Sequence, residues 1–367
     1  MRIVYFTIFA CLEIAIHAEE SLVAAVVLFR HGARAPHSEV TDAKFKSKFA
    51  NGLGELTTDG IEGNKKLGKY LEKRYVESKF LRAPLLPQEI YIRSKSNNRC
   101  LMTGAMVGSQ MFSYGRKSAR SAVPIYSYEK GEDLLTHPRG CSYEYGRLER
   151  LCNRRPDQNI KWPMFEGFVF ECLGLHKNTT LFKDAKEFSK MEALYIEEKN
   201  GLTGPDWYER NKEEAHKLYN KVFAFNVGAG DVTTLQLKQG KLLHTILETF
   251  KEKKEEHEKQ GKVEKKKLIM YSTQDWILQA LLNGIGAVKE AIGEGIPNFN
   301  SLIIFEMRAN NNTYTMQVFY KDGEADSEKE ITQAVRGCTK TPCPYEEFLN
   351  CCNDYKTTDP NAVCHLP

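Results

Sequence analysis

Residues 22–29, LVAAVVLF, are apolar without a break. That is the length and pattern of a strand buried on both faces. Polar, glycine-bearing residues begin at Arg30. In an α/β sheet, such a strand end is where ligands bind. Residues 89–93 (EIYIR) and 268–272 (LIMYS) predict two further strands. Residues 302–307 and 314–320 alternate apolar and polar across an Asn-rich turn, which predicts an antiparallel hairpin.

Helical periodicity fills the intervals between strands. Over 57–75, Thr57 or Thr58 can cap, and Ile61, Leu67, Leu71 and Tyr75 recur on one face. Residues 100–113 are apolar and small, and predict a second helix. Residues 236–250 predict an amphipathic helix with Leu235, Leu237, Leu242, Leu243, Ile246 and Leu247 inward, and 276–289 predict an apolar one. The fold class that follows is α/β, a mixed central sheet flanked by helices. Between about 125 and 235 the character changes. This stretch carries Cys141, Cys152, Cys172, Trp162 and Trp207, and polar helical runs such as 205–224. It reads as a smaller, mainly helical inserted cap over 126–235, with a core formed by 19–125 and 236–367. No internal repeat is visible.

Composition narrows the class. The chain has 367 residues, 41% hydrophobic and 27% charged, which describes a globular protein and excludes global disorder. A net charge of +4 is small for this length and argues against a dedicated nucleic-acid partner. Residues 251–267 hold eight lysines, but five interspersed glutamates make a solvated helix face a better reading than a docking patch.

The N-terminus carries Arg2, an apolar run over Ile3–Ile16 broken only by Glu13, and Ala18 before Glu19–Glu20. It reads as a signal peptide over 1–18, against a buried strand or an anchor as competing readings. The run is short for a membrane span, and no later segment approaches one. The expected location is secreted, with a lysosomal-type compartment as the alternative. Without Cys11, nine cysteines remain, five of them within the last 30 residues, as suits an oxidising compartment. Nine is odd, and Cys100, in an apolar helical stretch, is the expected free thiol. The spacings lack a clean CxxC pair, so a zinc site is disfavoured. Sequons at Asn178 and Asn311 are compatible with glycosylation.

Chemistry concentrates in Arg30-His31-Gly32-Ala33-Arg34-Ala35-Pro36. Guanidinium forks match phosphate oxygens and keep their charge at any useful pH. An imidazole among them is placed to attack phosphorus and form a phosphohistidine. Gly32 would let backbone come close to the anion. By residue types alone, a structural ion-pair site is the stronger reading.

The order RHGxRxP resembles the signature of the histidine acid phosphatases. The resemblance extends to Gly54-Glu55-Leu56-Thr57, Gly60, Leu67-Gly68-Lys69-Tyr70-Leu71 and Arg74-Tyr75. It continues through Ile90-Tyr91-Ile92-Arg93-Ser94 with Arg99, through Gly240-Lys241-Leu242-Leu243, and through the hairpin near Phe305-Glu306 and Phe319-Tyr320. It implies a core α/β domain with a smaller helical domain, and hydrolysis of phosphate monoesters at acid pH without a metal or cofactor. It implies His31 as nucleophile and Arg30, Arg34 and Arg93 as phosphate ligands. It also implies the pairs Cys338–Cys343 and Cys141–Cys364, and allows a homodimer.

One position departs. After the third strand the family has a His-Asp pair, whereas this chain has Gln274-Asp275. Asp275 would be the general acid, and it can also cap the following helix. Gln274 keeps N–H donors for the phosphoryl group but never carries charge. The expected outcome is a weakened acid phosphatase; the alternative is a degenerate relative that binds a phosphorylated ligand or partner. His37 reads either as a pocket-mouth residue or as surface polarity. His137 sits in a turn-like Thr-His-Pro with no partner visible in sequence.

Overall fold

The structure, a computed structural model, describes residues 20–113, 122–128, 135, 140–157, 159–323 and 325–366. The 1–18 segment and His137 lie outside the described residues.

Eight strands form one mixed sheet. They are β1 (Ser21–Arg30), β2 (Ile90–Ser94), β3 (Ile125–Tyr126), β4 (Leu268–Thr273), β5 (Leu302–Asn310), β6 (Thr313–Lys321), β7 (Lys329–Glu330) and β8 (Cys343–Pro344). Their order is β3-β2-β4-β1-β5-β6-β7, with β8 on β6. The first four are mutually parallel, and β5 turns antiparallel against β1. The predicted hairpin is β5–β6, paired from Leu302↔Lys321 to Asn310↔Thr313.

The continuous apolar run of β1 has the expected cause, because both its faces are covered. Ala25, Val27 and Phe29 pack with Leu67, Leu71, Val107 and Met111. These come from α1 (Thr58–Leu71) and α2 (Asn98–Met111). Ala24, Val26 and Leu28 point the opposite way, as the two-residue strand period requires. They meet Leu243, Ile246, Phe250, Leu278 and Leu281. Thr57 is the residue that caps α1, its side chain accepting from the Gly60 N–H.

Between β3 and β4 lies the inserted helical segment. Its longer helices are α3 (Ser142–Cys152), α4 (Trp162–Cys172), α5 (Met191–Lys199) and α6 (Lys212–Val227). They share an aromatic cluster in which Phe170 and Phe188 stack at 4.2 Å. The chain returns through α7 (Lys241–Gln260), β4 and α8 (Asp275–Ile285). The lysine-rich stretch largely continues α7, where Lys253–Glu256 and Lys254–Glu258 pair along the helix.

Both pairings implied by the family resemblance are present, Cys141–Cys364 and Cys338–Cys343. Cys152–Cys172 and Cys351–Cys352 are two more, and Cys100 is free and buried. Among the described residues, no helix is long and apolar enough to cross a membrane.

Candidate active site

The site begins with a register. In the parallel pair β1–β4, Arg30 stands opposite Thr273. Both strands end there, so His31 and Gln274-Asp275 leave the sheet side by side. The His31 N–H donates to the Thr273 carbonyl at 3.0 Å. One strand further, the Lys95 N–H donates to the Ser272 carbonyl at 3.0 Å, so the β2 end joins the same crevice. Gly32 meets a packing requirement of its own. A methyl group there would strike the Gly60 carbonyl and Asn64 Oδ1 on α1, so the missing Cβ lets the 30–34 loop lie against that helix.

His31 is 1% exposed. Its Nδ1 lies 2.8 Å from the Gly32 carbonyl, and Arg99 Nε donates to its Nε2 at 3.2 Å. A carbonyl only accepts and a guanidinium only donates, so the proton is on Nδ1 and the lone pair is on Nε2. Burial, then Arg99, Arg30 and Arg34, hold the imidazole pKa well below its ordinary 6.5. The ring is thus neutral, with its nucleophilic nitrogen facing guanidinium groups.

Three arginines surround it. Arg30 donates to the Pro297 carbonyl at 2.7 Å, lies 4.2 Å over the Phe299 ring, and pairs with Asp275 at 2.6 Å. Arg34 pairs with Glu192 of α5 at 2.8 Å. That carboxylate also accepts from the His37 N–H at 3.1 Å. Arg99, in the first turn of α2, donates to the Gly54 carbonyl at 3.2 Å as well as to His31. The structure therefore puts Arg99 where the sequence reading puts Arg93. Arg93 does not line the cavity containing His31. It is the penultimate residue of β2, on the other face of the strand, 4.1 Å over the Tyr128 ring. Strand alternation carries the reason: Ile90 and Ile92 face α1 and α2, which turns Arg93 away from them.

Asp275 opens α8 and is 15% exposed. Its carboxylate also accepts the Trp276 N–H at 2.8 Å, but the helix begins at Asp275 itself with Gln274 at the N-cap position, so Asp275 does not take the capping role expected of it. Gln274 lies beside it on the cavity wall. His37 is exposed and also lines the cavity mouth, so both readings of it hold. Arg34, burial, Arg99 and Arg30 keep its imidazole far below the usual range.

The cavity holds about 690 Å³. Lys95, Lys238 and Lys241 add positive charge around it, and Trp162, Tyr195, Tyr219, Phe223 and Trp276 add aromatic surface. Such a site suits an anionic group at the His31 end attached to a larger, partly apolar body. Glu192, Trp276 and the lysines were not singled out by the sequence. Among the described residues, no group of three or more His, Cys, Asp or Glu is placed to hold a metal ion.

A buried neutral histidine in a ring of arginines, at the carboxyl ends of parallel strands, is a site built for an anion in an α/β fold. The profile of the histidine phosphatase superfamily (branch 2) matches residues 21–321, and the chain belongs to that family. It is 31% identical over 383 residues to "Putative acid phosphatase 1" of Caenorhabditis briggsae, covering 100% of this chain and 87% of the relative. It is 26% identical to the lysosomal acid phosphatase of Rattus norvegicus (94% and 81% covered). With the human prostatic acid phosphatase the identity is 24% (94% and 87% covered). Among solved structures it shares the fold of a Hafnia alvei phytase in complex with myo-inositol hexakis sulphate. The TM-score is 0.62 at 15% identity, over 95% of this chain and 100% of the phytase.

Proposed function

We propose that this protein is an acid phosphatase of the secretory route that hydrolyses phosphate monoesters through a phosphohistidine on His31. The observation that carries the reading is the tautomer of His31: a neutral imidazole with its Nε2 lone pair among Arg30, Arg34 and Arg99. In the first step Nε2 bonds to phosphorus and the bond to the ester oxygen breaks. Asp275 gives its proton to the departing alkoxide, releasing the alcohol. In the second step water attacks the phosphohistidine, Asp275 takes a proton from it, and orthophosphate leaves. The guanidinium groups and a Gln274 N–H hold the phosphoryl oxygens through both steps, and this fixed positive field supplies most of the acceleration.

The inserted helices wall the far end of the cavity and would set substrate choice. The sequons fit the route, since Asn178 and Asn311 are both exposed, Asn311 in the β5–β6 turn. The 1–18 segment supplies the signal peptide, and the expected destination is extracellular or lysosomal.

The test is hydrolysis of p-nitrophenyl phosphate from pH 4 to 8 beside His31→Ala, with chelator present. Turnover at acid pH that disappears in the variant supports the reading; turnover that survives overturns the mechanism. A second reading, binding without useful turnover, rests on Gln274. Charge assistance is worth about 1–3 kcal/mol per hydrogen bond, or roughly ten- to hundredfold in rate. An active enzyme whose Gln274→His variant is faster supports the first reading. A folded, phosphate-binding but inert protein supports the second.

A further inference from the structure

Gln274 stands where the family has histidine, and two residues on the chain carries a tryptophan. Trp276 Nε1 donates to Gln274 Oε1 at 3.1 Å. An indole nitrogen can only donate, so the contact settles which end of the carboxamide is oxygen. Among the described residues nothing accepts from Gln274 Nε2. That nitrogen is left as the donor on a side chain that lines the His31 cavity.

The indole is itself held in place. Lys95 Nζ and Lys238 Nζ lie 5.0 and 6.0 Å from its ring. Lys238 is in turn paired with Glu144 of α3 at 2.6 Å. Trp276 also packs against both the sheet core and the aromatic cluster of the inserted helices. A ring fixed in this way presents its N–H in one direction.

We infer that Trp276 is a positioning residue of the phosphoryl site, orienting the Gln274 carboxamide so that an N–H rather than its oxygen meets the bound phosphoryl group. The inference rests on the phosphatase reading of the site. A free carboxamide could turn either end toward an anion, and the oxygen end would repel it. The indole N–H removes that ambiguity. The Gln–Trp pair thereby supplies a donor that does not titrate, where an imidazole would gain and lose charge with pH.

The experiment is a double-mutant cycle on the mature chain, read as orthophosphate Kd by calorimetry and as kcat/KM on p-nitrophenyl phosphate. Trp276→Phe keeps a ring between the lysines and removes the N–H. It is expected to weaken orthophosphate about two- to tenfold, the span of one neutral hydrogen bond. Gln274→Leu is expected to do the same. In the double variant, Trp276→Phe should add nothing to Gln274→Leu, because its target is gone. An equal further loss in that background would overturn the inference. Gln274→Glu gives a second arm, since it still accepts from Trp276 but has no donor. Orthophosphate should bind it more weakly than Gln274→Leu, and equal or tighter binding would also overturn the inference. If the unaltered protein neither binds orthophosphate nor hydrolyses the ester, the phosphatase reading fails and the inference with it. Normal behaviour of the unaltered protein with an additive cycle sinks the inference alone.

Discussion

Arg30 Nη2 and Asp275 Oδ2 lie 2.6 Å apart, joining the end of β1 to the first turn of α8. The carboxyl group proposed to protonate the leaving oxygen is thus placed beside a guanidinium proposed to hold the phosphoryl group. Asp275→Asn separates these tasks. Turnover of an alkyl phosphate, whose leaving group needs a proton, should fall by about 10²–10⁴-fold. The variant's kcat/KM on p-nitrophenyl phosphate, which reports the first step and not the shared hydrolysis of the phosphohistidine, should fall much less, because that leaving group departs as an anion. Orthophosphate should bind at least as tightly, since Arg30 loses a competing anion. Equal losses in kcat/KM on both esters would remove Asp275 from the acid role.

Arg99 and Arg93 make a paired test. Arg99 touches the nucleophile at 3.2 Å, while Arg93 lies on the Tyr128 ring. Arg99→Ala should lower kcat by roughly 10²–10³-fold, the usual loss of one fixed donor to the transition state. Arg93→Ala should leave kcat within about threefold, as expected of a group off the reacting centre. The reverse ranking would restore the assignment made from sequence.

The lowered pKa of His31 has two pH consequences. First, the nucleophile stays unprotonated as pH falls past 6.5, so kcat/KM should not drop with an ordinary histidine titration between pH 7 and 5.5. Second, the unfolded chain takes up this proton near 6.5 while the folded chain does not. Folded-state stability is therefore fully present above that pH and is lost as pH falls toward the folded value. Unfolding midpoints at pH 7 and 5 should differ more for the unaltered protein than for His31→Phe. A variant with the same pH slope would show that another group controls it.

Arg34 and Glu192 test how the inserted helices are fixed to the sheet. Both side chains are buried, at 6% and 1% exposure, and their ion pair spans 158 residues of sequence. Glu192→Gln leaves a buried guanidinium without its counter-charge. Breaking such a pair costs about 3–5 kcal/mol, read as a lower urea midpoint. A change under about 1 kcal/mol would place this pair with surface bridges in its energetic weight.

The sequence made the sheet centre legible because β1 and β4 are buried on both faces and therefore apolar over residues 22–29 and 268–271. The strand end after β1 carried its chemistry in contiguous residues, so His31, Arg30 and Arg34 could be found by reading along the chain. Asp275 was legible through the family's His-Asp pair, as the second residue after a buried strand. Arg99 was quoted but passed over for Arg93, six residues earlier on an extended segment. The alternation of Ile90 and Ile92 held the signal that would have separated them. Glu192 had no local signal, because its meaning comes from Arg34 across the fold. The role of Trp276 depends on the orientation of a side chain two residues away, which no spacing encodes. Cys152–Cys172 and Cys351–Cys352 were unreadable because counts do not define connectivity.

The bond between Cys141 and Cys364 ties the entrance of α3 to the last turn of the chain. Just before that turn, Thr358, Asp359, Pro360 and Asn361 form one wall of the cavity. A covalent staple therefore fastens a segment that lines the cavity, beside the hydrogen bond from Ser142 Oγ to the Cys364 carbonyl at 2.8 Å. One wall of the cavity thus takes its place from a bond made between thiols far from the reacting end, so the shape of the entrance depends on oxidation as well as on packing.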